Sequence, residues 1–201
     1  KVNWINKKVP AKGSLLDIGA GTGDFLLEAK KAGWKVKGIE PEKRARELAS
    51  KKGIDLTENS HIFRSEKFDV ITMWHVFEHV HDLKAQVIEF DNLLKKDGLL
   101  VIAVPNFKSY DAQYYKEFWA AYDVPRHLHH FDLHQKFFPP VRGHPPGRHR
   151  RSRRGPPPAS GPWPSGAGGP EHPRLPPWPH LRGRRRGVVT EVGQQAGHVP
   201  P

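Results

Sequence analysis

The first 137 residues alternate short apolar runs with helical stretches, and this alternation constrains the fold more than any other feature. Apolar runs predict strands at residues 14–18, 35–39, 54–56, 68–73 and 99–104. Helices are predicted between them, over 24–32, 41–52 and 82–97. Strands that alternate with helices and are apolar on both faces are typical of a parallel sheet covered on both sides. We therefore expect an α/β fold.

The predicted helix ends rest on residues that commonly occupy such positions. Pro41 is expected to begin the second helix and Gly53 to follow its end. Asp82 is expected to cap the third helix, which Gly98 would close. The face of the third helix that we expect to pack on the sheet consists of four apolar residues, Leu83, Val87, Phe90 and Leu94.

The composition changes abruptly after residue 137. Residues 138–201 contain 11 arginines, no lysine and 16 of the 20 prolines, whereas residues 1–137 contain 18 lysines and 4 arginines. The net charge of +12 therefore comes mainly from the last 64 residues. Few of these residues are apolar, and prolines interrupt the candidate elements. We divide the chain into a domain over 1–137 and a Pro/Gly/Arg-rich tail over 138–201 in which no strand is expected.

Three interpretations of this tail stay open. In the first, the tail is a disordered basic arm whose arginine clusters at 149–154 and 182–186 bind nucleic acid. In the second it is a proline-rich linker, and in the third it is the product of translation in another reading frame. The tail has arginine in place of lysine and is rich in proline and glycine, which favours the third interpretation. A nucleic-acid partner is expected only if the tail is authentic. Without a strand from the tail, the strand at 99–104 would be an exposed edge and the fold marginally stable.

Several classes of protein are excluded by composition. The absence of cysteine excludes disulfide frameworks, thiolate zinc sites and a cysteine nucleophile. The longest apolar run, 99–104, is too short to span a bilayer, so no membrane partner is expected. No secretory leader is recognised, and we expect a cytoplasmic protein.

The turn between the first predicted strand and helix carries the strongest functional signal. Residues 17–23 read D-I-G-A-G-T-G, and glycines there allow a tight turn and close approach of a ligand to the backbone. A dinucleotide fingerprint would need glycine where Asp24 stands, and no lysine follows as in a phosphate loop. Glu40 ends the second strand, where a carboxylate can accept hydrogen bonds from ribose hydroxyls.

The pattern D-x-G-x-G-x-G resembles motif I of class I S-adenosylmethionine-dependent methyltransferases. Residues 68–80 are similar to the strand and E-H-V sequence of the ubiquinone-biosynthesis-like branch, and residues 93–102 to the family's passage into strand five. The resemblance covers about residues 10–134. It implies a Rossmann-like, doubly wound, mostly parallel sheet, here truncated after strand five, where the family continues with an antiparallel pair in the order 3-2-1-4-5-7-6.

The resemblance also implies S-adenosyl-L-methionine as the cofactor. The residues that it assigns to the cofactor are Asp17, Gly19, Ala20, Gly21, Thr22, Gly23, Glu40, Trp74 and His75. The family usually places an acidic or amide residue after strand three to contact adenine. Here Glu58 and Asn59 are both available, and the contact stays unassigned.

Residues 75–79, H-V-F-E-H, also fit the H-x-x-E-H signature of zinc peptidases. In that interpretation His75 and His79 would bind zinc and Glu78 would act as the base. However, the segment directly follows a parallel strand, and the sequence identifies no third ligand. We therefore expect neither a peptidase nor a metal site.

The aromatic segment after residue 104 leads into V-P-R-H-L-H-H-F at 124–131, which is similar to a sequence in bacterial methyltransferases of this type. A segment leaving the carboxyl edge of the sheet is placed to cover the active site. We assign Trp119, Tyr122 and Arg126 to the methyl acceptor. His79 or His127 is expected to be the general base, with structural roles as the alternative.

The choice of acceptor follows by exclusion. C5-cytosine methylation needs a cysteine nucleophile, and methylation of adenine or glutamine amides goes with an [ND]-P-P-[YFW] motif where this chain has residues 74–77, W-H-V-F. The expected function is O-methylation of a small molecule or a sugar-linked hydroxyl. The alternative is a non-catalytic remnant of the cofactor-binding fold with a basic tail that binds nucleic acid.

Overall fold

The computed structural model describes residues 1–132 and the strand at residues 187–193. Six strands form one sheet in the order β3-β2-β1-β4-β5-β6, and all neighbouring strands are parallel. The strands are β1 Ser14–Ile18, β2 Lys35–Ile39, β3 Leu56–Thr57, β4 Phe68–Trp74, β5 Leu94–Pro105 and β6 Gly187–Gly193. The predicted α/β fold with a parallel sheet is confirmed.

Five α-helices and four short 3-10 helices accompany the strands in the described ranges. The α-helices are α1 Val2–Lys8, α2 Asp24–Lys31, α3 Lys43–Lys51, α4 Leu83–Leu93 and α5 Tyr110–Tyr115. The 3-10 helices are Ser60–Phe63, Phe77–His79, Lys116–Phe118 and Ala120–Tyr122. The sequence predicted α2, α3 and α4, whereas α1 and α5 were not predicted.

Alternate residues of the central strands pack on opposite faces of the sheet. Leu16, Ile71 and Leu100 belong to the core under α4. All four residues of the predicted stripe are buried, but Leu94 is the first residue of β5 and not part of the helix. Leu15, Val70 and Val101, the neighbouring residues, belong to the core under α1, α2 and α3. Helices therefore cover both faces of the sheet, which is the doubly wound arrangement.

Two helix ends differ from the prediction. The third helix ends at Leu93, so that Gly98 lies inside β5. A register shift between Phe68 and Val70 accommodates the extra residues of β5. A Cβ at Gly98 would lie only 2.7 Å from the Leu94 side chain, so the chain passes too close there for a larger residue. Pro41 precedes α3, whose N-cap is Glu42.

The strand β6 corrects the expectation that the tail supplies no strand and that β5 is an edge. It pairs with β5 from Leu99 opposite Gly187 to Pro105 opposite Gly193. The segment 187–193, G-V-V-T-E-V-G, contains no proline and four β-branched residues, which favours extended backbone. It is parallel to β5, whereas the resemblance implied an antiparallel pair there. The arginine clusters lie outside the described residues, so the interpretations of the tail stay predictions.

In residues 1–132 and 187–193, no helix combines the length and the apolar character required for a bilayer span.

Candidate functional site

The glycine turn, residues 17–23, joins β1 to α2 at the carboxyl edge of the sheet. Gly19, Gly21 and Gly23 have φ angles of 73°, 53° and 76°, the left-handed region that glycine adopts without a steric cost. The amide nitrogens of Gly19 and Ala20 donate hydrogen bonds to the Ile39 carbonyl at the end of β2. A Cβ at Gly21 would meet nothing within 4 Å, so the turn presents its backbone to open space.

Glu40 follows β2 and lies directly beside the glycine turn. Its Oε2 accepts a hydrogen bond of 2.7 Å from the Gly21 amide nitrogen, and its Oε1 accepts one of 3.0 Å from the Glu42 amide nitrogen. The Glu40 amide nitrogen in turn donates to the Thr57 carbonyl on β3. A carboxylate has about four acceptor positions, so Glu40 retains capacity for the hydroxyl groups of a ligand. The structure thus brings together two elements that the sequence placed 19 residues apart.

Asp17 lies beneath the turn and is buried in the sheet, with 2% of its surface exposed. Its Oδ1 accepts a hydrogen bond of 2.5 Å from Thr72 Oγ1 on β4. Burial raises the pKa of Asp17 to about 7, although the hydrogen bond from Thr72 acts in the opposite direction. Asp17 therefore supports the turn from below, and near neutral pH it is protonated in part of the molecules.

Trp74 ends β4 and packs edge-to-face on Phe25 of α2, with ring centroids 5.4 Å apart. Its indole Nε1 is buried and has no hydrogen-bond partner in the described part of the chain. The Lys1 ammonium lies over the Trp74 ring, 4.4 Å from the centroid. The face of this indole thus accepts a cation. The next residue, His75, has a positive φ of 56°.

A second group of polar side chains follows β4 and is here called the histidine cluster. It consists of Glu78, His79 and His127, each with one ligand atom, and these three atoms lie within 4.8 Å of one another. The two imidazole rings meet edge-to-face at 4.6 Å. Glu78 and His79 belong to a 3-10 helix, whereas His127 comes from the segment that the sequence placed over the active site.

Backbone hydrogen bonds attach that segment to the 3-10 helix. The amide nitrogens of Leu128 and His129 both donate to the Glu78 carbonyl, at 2.8 and 3.2 Å. The Glu78 side chain is only 1% exposed, and neither of its carboxylate oxygens accepts a hydrogen bond within the described residues. The nearest ionisable partner is His75, with Nδ1 3.6 Å from Glu78 Oε1. The sequence did not identify His127 as a neighbour of Glu78, because only the fold joins the two segments.

The residues assigned to the acceptor lie on the same segment. The Arg126 guanidinium is largely exposed and donates two hydrogen bonds to Asp123 Oδ1. Tyr122 packs edge-to-face against both Trp119 and His130, at 5.2 and 5.3 Å. The three rings of Trp119, Tyr122 and His130 therefore form one small aromatic group.

The aromatic side chains that precede this group are mostly turned to solvent. Tyr110, Tyr114, Tyr115 and Phe118 are exposed, the last by 83%. These four side chains therefore do not pack α5 or the 3-10 helix that follows it on the sheet.

The two residues available for an adenine contact have other partners. Asn59 caps the 3-10 helix Ser60–Phe63 by accepting a hydrogen bond from the His61 amide nitrogen. Glu58 is exposed and lies 3.7 Å from Arg46. A shallow groove of about 630 Å³ between that 3-10 helix and α4 lies apart from the glycine turn and the histidine cluster, and it contains none of the predicted site residues.

The family described as "Methyltransferase domain" matches residues 3–136. Among curated proteins, the ubiquinone biosynthesis O-methyltransferase of Actinobacillus pleuropneumoniae serotype 7 is 32% identical over 143 residues, 63% of this chain and 60% of that protein. An uncharacterized methyltransferase of Alkaliphilus oremlandii is 32% identical over 104 residues, 49% of this chain and 48% of that protein. The chain thus spans about 60% or less of the length of these two relatives.

A solved structure has the same fold. It is a SAM-dependent methyltransferase of Thermotoga maritima, described as a possible histamine N-methyltransferase. It is 24% identical to this chain, with a TM-score of 0.52 and coverage of 66% of this chain and 63% of that one. The family match includes the glycine turn, Glu40 and the histidine cluster. The chain belongs to the methyltransferase-domain family and has the class I fold of enzymes whose cofactor is S-adenosyl-L-methionine.

Proposed function

We propose that this domain transfers the methyl group of S-adenosyl-L-methionine to a hydroxyl oxygen of a small molecule or a sugar-linked acceptor. The observation that carries the proposal is the hydrogen bond between the Gly21 amide and the Glu40 carboxylate at the carboxyl edge of the sheet. The name of the Actinobacillus relative, an O-methyltransferase, supports oxygen as the acceptor atom.

The glycine turn and the residues around it fit the cofactor. Open space in front of Gly21 leaves room for a ligand against the backbone, and Glu40 retains free acceptor positions for ribose hydroxyls. The face of the Trp74 ring attracts positive charge, as its contact with the Lys1 ammonium indicates. We assign the cofactor to Asp17, Gly19, Ala20, Gly21, Thr22, Gly23, Glu40, Trp74 and His75.

The chemistry divides between the cofactor and the chain. S-Adenosyl-L-methionine supplies a methyl group that is already activated by its positively charged sulfur. The chain therefore has to hold the acceptor in line, exclude water and take up the proton of the hydroxyl. An aromatic face such as that of Trp74 stabilises positive charge without competing for the methyl group.

We assign the proton transfer to the histidine cluster. His79 Nδ1 lies 3.0 Å from the Arg126 carbonyl oxygen, and His127 Nδ1 lies 2.8 Å from the Ala121 carbonyl oxygen. Because a carbonyl oxygen only accepts, each Nδ1 carries a hydrogen, and in the neutral rings each Nε2 keeps a lone pair. His127 Nε2 lies 3.8 Å from Asp123 Oδ2. Either His79 or His127 can therefore accept the proton through Nε2, with Arg126, Tyr122 and Trp119 beside the acceptor.

Isothermal titration with S-adenosylhomocysteine tests the cofactor site. Gly21→Asp is expected to abolish binding, since it introduces a carboxylate beside Glu40 into the space of the ligand. Gly53→Asp is the matched control, because Gly53 also has a positive φ, 74°, and open space around its Cβ position, but lies at the end of α3. Loss of binding in both variants, or in neither, would contradict the assignment.

Transfer of a labelled methyl group tests the acceptor class. The full chain is incubated with labelled cofactor and three sets of acceptors, namely phenols and catechols, sugar-linked alcohols, and primary amines. Label is expected in the hydroxyl sets. Label in the amine set alone would contradict O-methylation while leaving the cofactor site intact.

A further inference from the structure

We propose that the histidine cluster binds one divalent transition-metal cation, for which Zn²⁺ is the best match. The proposal rests on the geometry of Glu78, His79 and His127 and holds whether or not the methyl acceptor is a hydroxyl. The sequence argued against a metal because the pattern at 75–79 lacks a third ligand. The fold supplies that ligand as His127.

The ligand set is suitable for such a cation. One carboxylate and two imidazoles form the His₂Glu set of many catalytic zinc sites, and nitrogen ligands select transition metals over Mg²⁺ or Ca²⁺. The three ligand atoms lie within 4.8 Å of one another. Ligands about 2.0–2.2 Å from zinc in a tetrahedral site are about 3.3–3.6 Å apart, so small side-chain movements complete the site.

Both imidazoles are held in the form that a metal requires. The backbone carbonyls of Arg126 and Ala121 accept hydrogen bonds from Nδ1 of His79 and His127, respectively. In the neutral imidazoles this places the hydrogen on Nδ1 and leaves a lone pair on Nε2, which in His127 lies 3.8 Å from Asp123 Oδ2. Histidines that bind metals commonly have their second nitrogen fixed in this way.

The Glu78 carboxylate supplies the independent observation that points to a ligand. It is 1% exposed, and no hydrogen bond reaches either oxygen within the described residues. A buried carboxylate is unfavourable unless hydrogen bonds or positive charge compensate it. The nearest basic group, His75 Nδ1, lies 3.6 Å from Oε1, which is longer than a hydrogen bond. A bound cation supplies the positive charge that the carboxylate lacks.

The cluster lies next to the proposed cofactor site. Val76, between His75 and the 3-10 helix, packs so closely on the glycine turn that a Cβ at Gly19 would lie 2.4 Å from its Cγ2. Three protein ligands leave positions for water or for an acceptor oxygen. If the proposed function holds, a hydroxyl bound to the cation loses its proton to solvent more readily. The two histidines are then ligands, and either of them acts as the base only in the metal-free chain.

Metal titration of the full chain tests the site. The chain is freed of metal with a chelator, titrated with Co²⁺ while its visible absorption is recorded, and then titrated with Zn²⁺ in competition. We expect one Zn²⁺ per chain at this site and at least a tenfold weaker affinity in Glu78→Gln. His61→Gln, which changes an exposed histidine of the 3-10 helix Ser60–Phe63, should bind Zn²⁺ as the unchanged chain does.

Equal Zn²⁺ affinity in the unchanged chain and in Glu78→Gln would overturn the proposal, and so would an equal loss in His61→Gln. Circular dichroism verifies folding, and His79→Gln, which changes the exposed member of the cluster, replaces Glu78→Gln if that variant does not fold. Titration with S-adenosylhomocysteine separates the two proposals. Zn²⁺ binding without cofactor binding refutes only the proposed function, and cofactor binding without Zn²⁺ binding refutes only the metal site.

Discussion

The glycine turn and the histidine cluster lie at the same edge of the sheet but are built in different ways. The turn uses backbone groups and the Glu40 carboxylate within residues 17–40, and the Asp17 carboxylate beneath it is bonded to Thr72. The cluster uses side chains from two segments, joined by hydrogen bonds to the Glu78 carbonyl. The turn therefore depends on local conformation, whereas the cluster depends on the docking of residues 123–131. Under the proposed function the two regions have separate tasks, namely cofactor binding for the turn and acceptor activation for the cluster.

The largest expected effect is on turnover and comes from the cluster. His127→Ala and His79→Ala should lower kcat by about 10²–10⁴-fold, the usual contribution of a general acid or base, for whichever residue serves. A large loss in one variant only indicates a base, and similar losses in both indicate shared ligation of a cation. Transfer of labelled methyl groups measures kcat. A weakened affinity for S-adenosylhomocysteine in these variants would break the proposed division of tasks.

The next effect concerns the support of the turn, and it depends on pH. Burial raises the pKa of Asp17 to about 7 in the folded chain. Between about pH 4 and pH 7, Asp17 is therefore protonated in the folded chain but ionised in the unfolded chain. The stability of the unchanged chain thus falls as the pH rises through this window. Asp17→Asn removes this dependence and accepts the same hydrogen bond from Thr72.

The Asp17→Asn variant should gain up to about 4 kcal/mol over the unchanged chain at pH 8, from about 1.4 kcal/mol per pKa unit, and little at pH 4. Urea unfolding at pH 4, 6 and 8 measures the difference. If the two free energies of unfolding run parallel across this range, Asp17 is ionised in the folded chain and the pKa assignment is wrong.

A smaller effect sharpens the role of Glu40. Glu40→Gln should weaken S-adenosylhomocysteine about 10- to 100-fold, because hydrogen bonds to a charged group contribute about 1.5–3 kcal/mol. Glu47→Gln is the control, since Glu47 is an exposed carboxylate on α3. Calorimetry gives both dissociation constants. Equal affinity in the two variants would remove Glu40 from the cofactor site.

The smallest effect tests the scaffold that the two regions share. Asp69 Oδ2 accepts hydrogen bonds of 2.8 Å from the Ser14 amide and from Lys95, joining the starts of β1, β4 and β5. Although burial raises the pKa of Asp69, these bonds hold it below its usual value. Asp69→Ala should lower the free energy of unfolding by about 1–2 kcal/mol at pH 7. Thermal melting measures this loss, and an unchanged midpoint would contradict it.

The sequence predicted the elements whose signals are local. The glycine turn was identified because its three left-handed residues must be glycine, and Glu40 because it directly follows a strand beside it. Gly98 was misplaced, because a glycine after a helical stripe looks like a helix end until the register of β5 is known. The strand β6 was missed because prolines and arginines surround its seven residues.

The histidine cluster was the least predictable part. His79 and His127 were singled out separately, and Glu78 was considered as part of the E-H-V resemblance and of a peptidase pattern. Their proximity depends on where residues 123–131 dock, which no local periodicity encodes. Likewise, the contact between Lys1 and the Trp74 ring depends on the placement of the unpredicted helix α1.

The most direct test of the two separate tasks is a side-by-side titration of Gly21→Asp and His127→Asn with S-adenosylhomocysteine. The account predicts that Gly21→Asp loses binding, while His127→Asn binds with the affinity of the unchanged chain. Retained binding in Gly21→Asp would contradict the assignment of the cofactor to the glycine turn. Loss of binding in a folded His127→Asn variant would contradict the separation of the two regions.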